Sequence, residues 1–113
     1  MSPEDRIRLE HMRDACESAL GFVGERDRQD LDSDLMLVFA LARAMEVIGE
    51  AASKVTPSGR EALPELPWGH IVGMRNRLIH AYFDVDLDIV WNTVTVALPE
   101  LLAQLQAALS SDN

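Results

Sequence analysis

The feature that most constrains this chain is the run from Leu31 to about Lys54, where Leu35, Met36, Leu37, Val38, Phe39, Leu41, Met45, Val47 and Ile48 leave few polar positions. A helix this apolar around its circumference suits a central place, touched by neighbours on several sides. Gly49, Ala51 and Ala52 are small enough to let one of those neighbours approach closely. The charges of the run, Arg43, Glu46 and Glu50, recur at three- and four-residue steps and so share a narrow strip of one face. That strip reads either as a salt-bridged solvent face or as the polar lining of a cleft.

The flanking segments supply partners for such a helix. Ser2 before Pro3, Glu4 and Asp5 is a helix start, with a hydroxyl cap, proline in the first turn and acids where the helix dipole favours them. Leu9, Met12, Cys16, Ala19, Leu20 and Val23 then form one stripe, which predicts a first helix to about Val23 and a loop over Gly24 to Asp30. Thr56-Pro57-Ser58-Gly59 is expected to end the central helix, and Pro64 and Pro67 punctuate the next connection, with room for one short helical turn. A third long helix opens at Pro67-Trp68 and is expected to run to about Tyr82. Phe83-Asp84-Val85-Asp86 turns the chain, with either aspartate able to cap the next helix. In that last helix, from about Leu87 to Leu109, Leu87, Val90, Trp91, Val94, Leu98, Leu101 and Leu105 share a side, and Pro99 should kink it. No stretch alternates as a strand would, and there are no repeats. The expected fold is all-α, one domain over residues 1–113, an antiparallel four-helix bundle with a short extra helix.

Composition limits the functional classes. A chain of 113 residues with 48% hydrophobic and 26% charged side chains is ordinary for a globular protein, and at this length folding hides roughly 65% of the unfolded surface. The single cysteine, Cys16, allows neither an internal disulfide nor a cysteine zinc site, and its place on an apolar stripe reads as core. No apolar run reaches the roughly 18 residues of a membrane span, and the acidic N-terminus is unlike a signal peptide. A cytoplasmic protein with no membrane partner is the expectation. The net charge of −9 opposes polyanion binding unless basic residues are locally concentrated.

One segment concentrates them: Arg75-Asn76-Arg77-Leu78-Ile79-His80-Ala81-Tyr82. Phosphate-binding glycine loops, zinc spacings and serine triads are not found, and His11, His70 and His80 lack metal-ligand partners at helical spacing. No metal or cofactor is expected. On a helix, Asn76 and His80 lie four apart on one face, where the amide could orient the imidazole, with Arg77 flanking. Arg75 and Tyr82 share another face. Arg75 and His80, five apart, point roughly 140° away from one another on a straight helix, so a site using both needs a helix end near His80 or a second copy of the chain.

Those side chains permit RNA cleavage without a metal. A histidine with a reference pKa near ~6.5 exchanges protons with the ribose 2′-hydroxyl or the leaving 5′-oxygen, and an arginine fork stabilises charge growing on the phosphate. The product would carry a 2′,3′-cyclic phosphate. By spacing alone an arginine and a histidine on an amphipathic helix are more often surface or helix-terminal groups than a catalytic pair, and Tyr82 is more often a half-buried packing residue. Trp68 and Trp91 read as core or interface anchors, His11 as surface, and His70, seven before Arg77, as a possible member of the same face.

At these residues the sequence resembles the HEPN superfamily, specifically HepT-like toxins paired with minimal nucleotidyltransferase antitoxins. The signature is an arginine, four residues, a histidine, one residue and a tyrosine, matched by Arg75, His80 and Tyr82, with polar Asn76 after the arginine. Ala44-Met45-Glu46-Val47-Ile48-Gly49-Glu50-Ala51, Leu66-Pro67-Trp68 and Tyr82-Phe83-Asp84-Val85-Asp86 also look like this family. The resemblance implies a homodimer whose two motifs face each other across a cleft and cut mRNA or tRNA, with no DNA partner. It implies Arg75 and His80 as catalytic, Asn76 and Arg77 as supporting, and Tyr82 as the residue that a nucleotidyltransferase antitoxin silences by transferring AMP. A noncatalytic accessory subunit of a nucleotidyltransferase, or a purely structural dimerisation role, would use the same residues as a binding surface or as packing.

Overall fold

The computed structural model of the chain describes residues 1–79 and 86–111, with residues 75, 77–79 and 111 described in the backbone alone. Helix α1 (Pro3–Val23) begins where Ser2 accepts the Asp5 amide at 3.1 Å and ends at Gly24. Gly24 has φ 48°, a left-handed conformation that glycine adopts without the penalty a Cβ brings. Its stripe is buried as the periodicity requires: Leu9, Met12, Cys16, Ala19 and Val23 are all in the core.

The apolar run is not one helix. A single turn, α2 (Asp30–Ser33), precedes α3 (Leu35–Ser53), and the break falls at Asp34, whose extended backbone lets its carboxylate accept the Leu37 amide at 3.1 Å. An aspartate that caps from outside cannot also be mid-helix. The segment Thr56 to Gly59 likewise does more than end the central helix. Thr56 accepts the Gly59 amide at 3.1 Å and Pro57 occupies the first turn, so that α4 (Pro57–Ala62) starts inside it. The short helical turn expected between Pro64 and Pro67 is a non-helical turn, and the two short helices, α2 and α4, lie on either side of α3 instead.

Helix α5 (Trp68–Ile79) opens after Pro67 as predicted; the expected continuation to Tyr82 lies outside the described residues. Helix α6 (Leu87–Asn92) passes through a π-helical turn, Thr93–Ala97, into α7 (Leu98–Ser111). Where a kink was expected at Pro99, the structure has this π-helical turn just before the proline. Proline has no amide to give the Thr95 carbonyl, and just before it the ladder loosens by one residue, with the Leu98 amide bonding the Thr93 carbonyl. The Thr95 hydroxyl adds a bond to the Trp91 carbonyl at 2.7 Å, a back-bond that also bends helices.

Contacts between the ends fix the directions. The start of α1 meets the end of α3 through Asp5 and Thr56, and the end of α7 through Arg6 and the Leu109 carbonyl at 3.1 Å. At the other end Arg28, after α1, reaches Asp88 in α6 at 2.6 Å. Helices α1, α3, α5 and the continuous α6 to α7 rod alternate up and down, an antiparallel four-helix bundle with no strand among the described residues. Leu41, Met45 and Ile48 of α3 are fully buried between α1 and α5. The first turns of α3 are not: Leu35, Met36 and Phe39 are 66%, 82% and 60% exposed.

Candidate active site

Arg75, Asn76 and Arg77 sit in the closing turns of α5, and α6 begins at Leu87, so the motif joins the third helix to the last rod. Asn76 is exposed. The side chains of Arg75 and Arg77, together with His80 and Tyr82, lie outside the described residues. So do the expected pairing of Asn76 with His80 and the shared face of Arg75 and Tyr82. Of the two aspartates that could cap the last helix, Asp86 is described, and it does so: its carboxylate accepts the amides of Asp88 and Ile89 at 3.0 and 3.2 Å.

This end of the bundle collects negative charge. Asp30, Asp32 and Asp34 of the α1 to α3 connection stand at the same end as Asp86 and Asp88, and Arg28 bridges the two groups through Asp32 at 3.1 Å and Asp88 at 2.6 Å. Those carboxylates hold the Arg28 guanidinium above its ordinary pKa. Other cations are similarly engaged. Arg6 pairs with Glu10, Arg13 with Asp14, and Arg43 with Glu46 and Glu50, which resolves the charged strip of α3 as an ion-paired surface. Arg26 and Arg60 donate to backbone carbonyls, and Arg60 also lies 5.7 Å from the Trp68 ring.

Beside the motif, a groove of about 210 Å³ runs between α5 and the last rod. Pro67, His70, Ile71 and Met74 form one wall; Thr93, Ala97 and Leu101 form the other. Both rows are visible in the sequence as helical spacings, but only the packed fold shows that they face each other. His70 lines this groove, its expected grouping with the Arg77 side chain lying outside the described residues, and His11 is exposed as expected. Cys16 is fully buried, and burial pushes its thiol up to about 12, which removes it as a nucleophile. Among the described residues no group of three His, Cys, Asp or Glu side chains is arranged to hold a metal ion, and no helix is long and apolar enough to cross a membrane.

Comparison with known proteins settles the family. A model described as "Ribonuclease HepT-like" matches residues 12–108, from the middle of α1 to near the end of α7, with the motif between. The chain belongs to the HepT-like ribonuclease family. It is 36% identical to a protein of Caldanaerobacter subterraneus subsp. tengcongensis provisionally named RNase TTE0752, over 92% of this chain and 93% of that one. It is 37% identical to a protein of Thermococcus cleftensis provisionally named ribonuclease HepT, over 87% and 89% of the two chains. A Methanocaldococcus jannaschii protein provisionally named RNase MJ1380 is 34% identical over 82% and 88%. No solved structure matches the chain. In this chain Arg, Asn, His and Tyr gather between Arg75 and Tyr82, from the end of α5 toward α6.

Proposed function

We propose that this chain is a metal-independent endoribonuclease, the toxin of a toxin and antitoxin pair that cuts mRNA or tRNA by attack of the ribose 2′-hydroxyl. The observation that carries the reading is HepT-like membership across residues 12–108, including a complete arginine, histidine and tyrosine pattern at Arg75, His80 and Tyr82. In this reading His80 exchanges the proton, Arg75 holds the phosphate, Asn76 orients the imidazole and Arg77 adds phosphate affinity. Carboxylates pair with Arg6, Arg13, Arg28 and Arg43, while the motif contributes two further cations, Arg75 and Arg77, where the phosphate is expected to lie. Tyr82 is the acceptor for AMP from a nucleotidyltransferase antitoxin, and the added phosphodiester places negative charge where RNA phosphate must lie.

The active form is a homodimer in this reading. Exposed Leu35, Met36 and Phe39, with Phe22 at 41% exposure, form an apolar patch at the same end of the bundle as Ile79 and Leu87. A two-fold axis through that patch brings two copies together at their motif-bearing ends. Next to the patch, Phe22, Ala40, Ala44 and Val47 line a groove between α1 and α3 that extends the apolar surface available to a second copy.

The test uses purified protein and labelled RNA in EDTA. Wild type cleaves and His80→Ala, with an unchanged circular dichroism spectrum, does not; equal cleavage by the two overturns the catalytic assignment. The acid collected beside the motif favours a second reading, a noncatalytic subunit that binds a nucleotidyltransferase. That reading holds if no RNA is cut and Arg75→Ala weakens partner binding.

A further inference from the structure

We propose that the groove between α5 and the last rod is a seat for a single nucleobase serving the motif, an inference that rests on the ribonuclease reading. Its position is the first argument. The two walls are the helices that directly precede and directly follow residues 80–85, and Met74, on one wall, is the residue before Arg75. On α5 the groove reaches Met74, next to Arg75, so a nucleotide whose phosphate is held by the motif has this recess next along the helix for its base.

Shape and chemistry agree. At about 210 Å³ the groove is smaller than the roughly 300–1,000 Å³ of sites for larger ligands and suits one planar ring. Ile71, Met74 and Leu101 are buried beneath it, at 1%, 6% and 3% exposure, and supply an apolar floor. His70 and Ala97 stand exposed at the rim. A base offers flat π faces to such a floor and rim, and base stacking tolerates different bases because each has such a face. The hydroxyl-bearing Thr93 gives the recess a group able to donate and accept toward a base edge.

The π-helical turn is an independent observation. It spans Thr93–Ala97, so two of the three residues of the outer wall are its first and last members. Such turns appear mostly as single interruptions of α-helices and often at functional sites. Here the widened turn supplies Thr93 and Ala97 to the wall that faces α5 across the groove.

The base comes either from the RNA or from the adenylyl group carried by Tyr82, and methyl-resolved NMR of the full-length protein distinguishes these sources. Adenosine and uridine 5′-monophosphates are expected to shift the methyl resonances of Ile71, Met74 and Ala97, and ribose 5-phosphate is not. Shifts with both nucleotides, together with an about 5- to 100-fold lower kcat/KM on RNA in Ala97→Met, support the RNA source. Shifts with the adenine nucleotide alone and unchanged RNA cleavage support the adenylyl source. His70→Ala, at the exposed rim, weakens binding in either case and serves if Ala97→Met does not fold. Equal shifts with ribose 5-phosphate, or none in the groove, overturn the proposal even if the wild type cuts RNA. Groove shifts without RNA cleavage instead overturn the ribonuclease reading.

Discussion

The Asp5 carboxylate accepts two hydrogen bonds from Thr56, one from its amide at 3.0 Å and one from its hydroxyl at 2.6 Å, across 51 positions of sequence. Asp5 is 3% exposed, and Ser2 closes the first turn over it. One side chain thus fastens the start of α1 to the start of α4. Hydrogen bonding to the ionised form, led by the Thr56 hydroxyl, holds the acid below its ordinary value of 3.8 despite burial.

This latch gives the acid response a definite sign. A carboxyl with a folded-state pKa below its unfolded value stabilises the fold above the unfolded pKa, and loses that contribution as pH falls through the folded one. Asp5→Asn should lower stability by about 2 kcal/mol at neutral pH. The gap from wild type should narrow below about pH 3.8. Urea midpoints of both proteins at pH 7, 4 and 3 measure it, and a gap constant with pH contradicts the assignment.

Gly59 is tied to the same latch. A Cβ there would stand 2.5 Å from the Asp5 Oδ2 and 2.9 Å from Val55 Cγ1, closer than atoms approach. Gly59→Ala is therefore expected to destabilise by about 1–3 kcal/mol, although alanine is the better helix former by about 1 kcal/mol. A melting temperature equal to or above wild type would show that the latch yields without cost.

Cys16 is expected to be silent toward thiol reagents. With no exposed surface and its thiol raised to about 12, the thiolate is scarce at pH 8. Ellman's reagent should report no free thiol in the native protein and one equivalent per chain in guanidinium chloride.

The patch on α3 gives a prediction about assembly. Met36 and Phe39 are 82% and 60% exposed, so Met36→Lys with Phe39→Lys should leave the monomer fold within about 0.5 kcal/mol per site. Sedimentation should show dimers of wild type and monomers of the double variant. Monomeric wild type at micromolar concentration counts against this face as the dimer contact.

Helical periodicity carried most of this fold. The α1 stripe from Leu9 to Val23 and the start of α5 after Pro67 lie where spacing and proline put them, because each arises from local preference reinforced by burial. Asp34 and Thr56 were harder to read: both cap helices, but each lies beside residues that a pattern of apolarity alone joins or ends differently. The motif is read from residue type and spacing, and the side chains of Arg75, Arg77, His80 and Tyr82 lie outside the described residues. The groove beside it was not, since rows such as Pro67, His70 and Met74 reveal their facing wall only once α5 and the last rod are side by side. Nor does spacing distinguish an apolar residue that meets a neighbour, such as Leu41, from one that meets water, such as Met36.

The two ends of the bundle are fastened by different chemistry. At one, the buried Asp5 latch works with Arg60, which covers the last carbonyls of α3, and Arg6, which reaches the Leu109 carbonyl. At the other, the cross-links described are the ion pairs of Arg28 with exposed Asp32 and Asp88, which salt screens and which are worth little individually. Amide exchange should therefore be graded along the helices: slow near Thr56, faster and salt-sensitive around residues 28–34 and 86–90. Under the proposed function, the motif stands at the end expected to open at the lower free energy, and substitutions there should alter recognition while the anchored end preserves the fold.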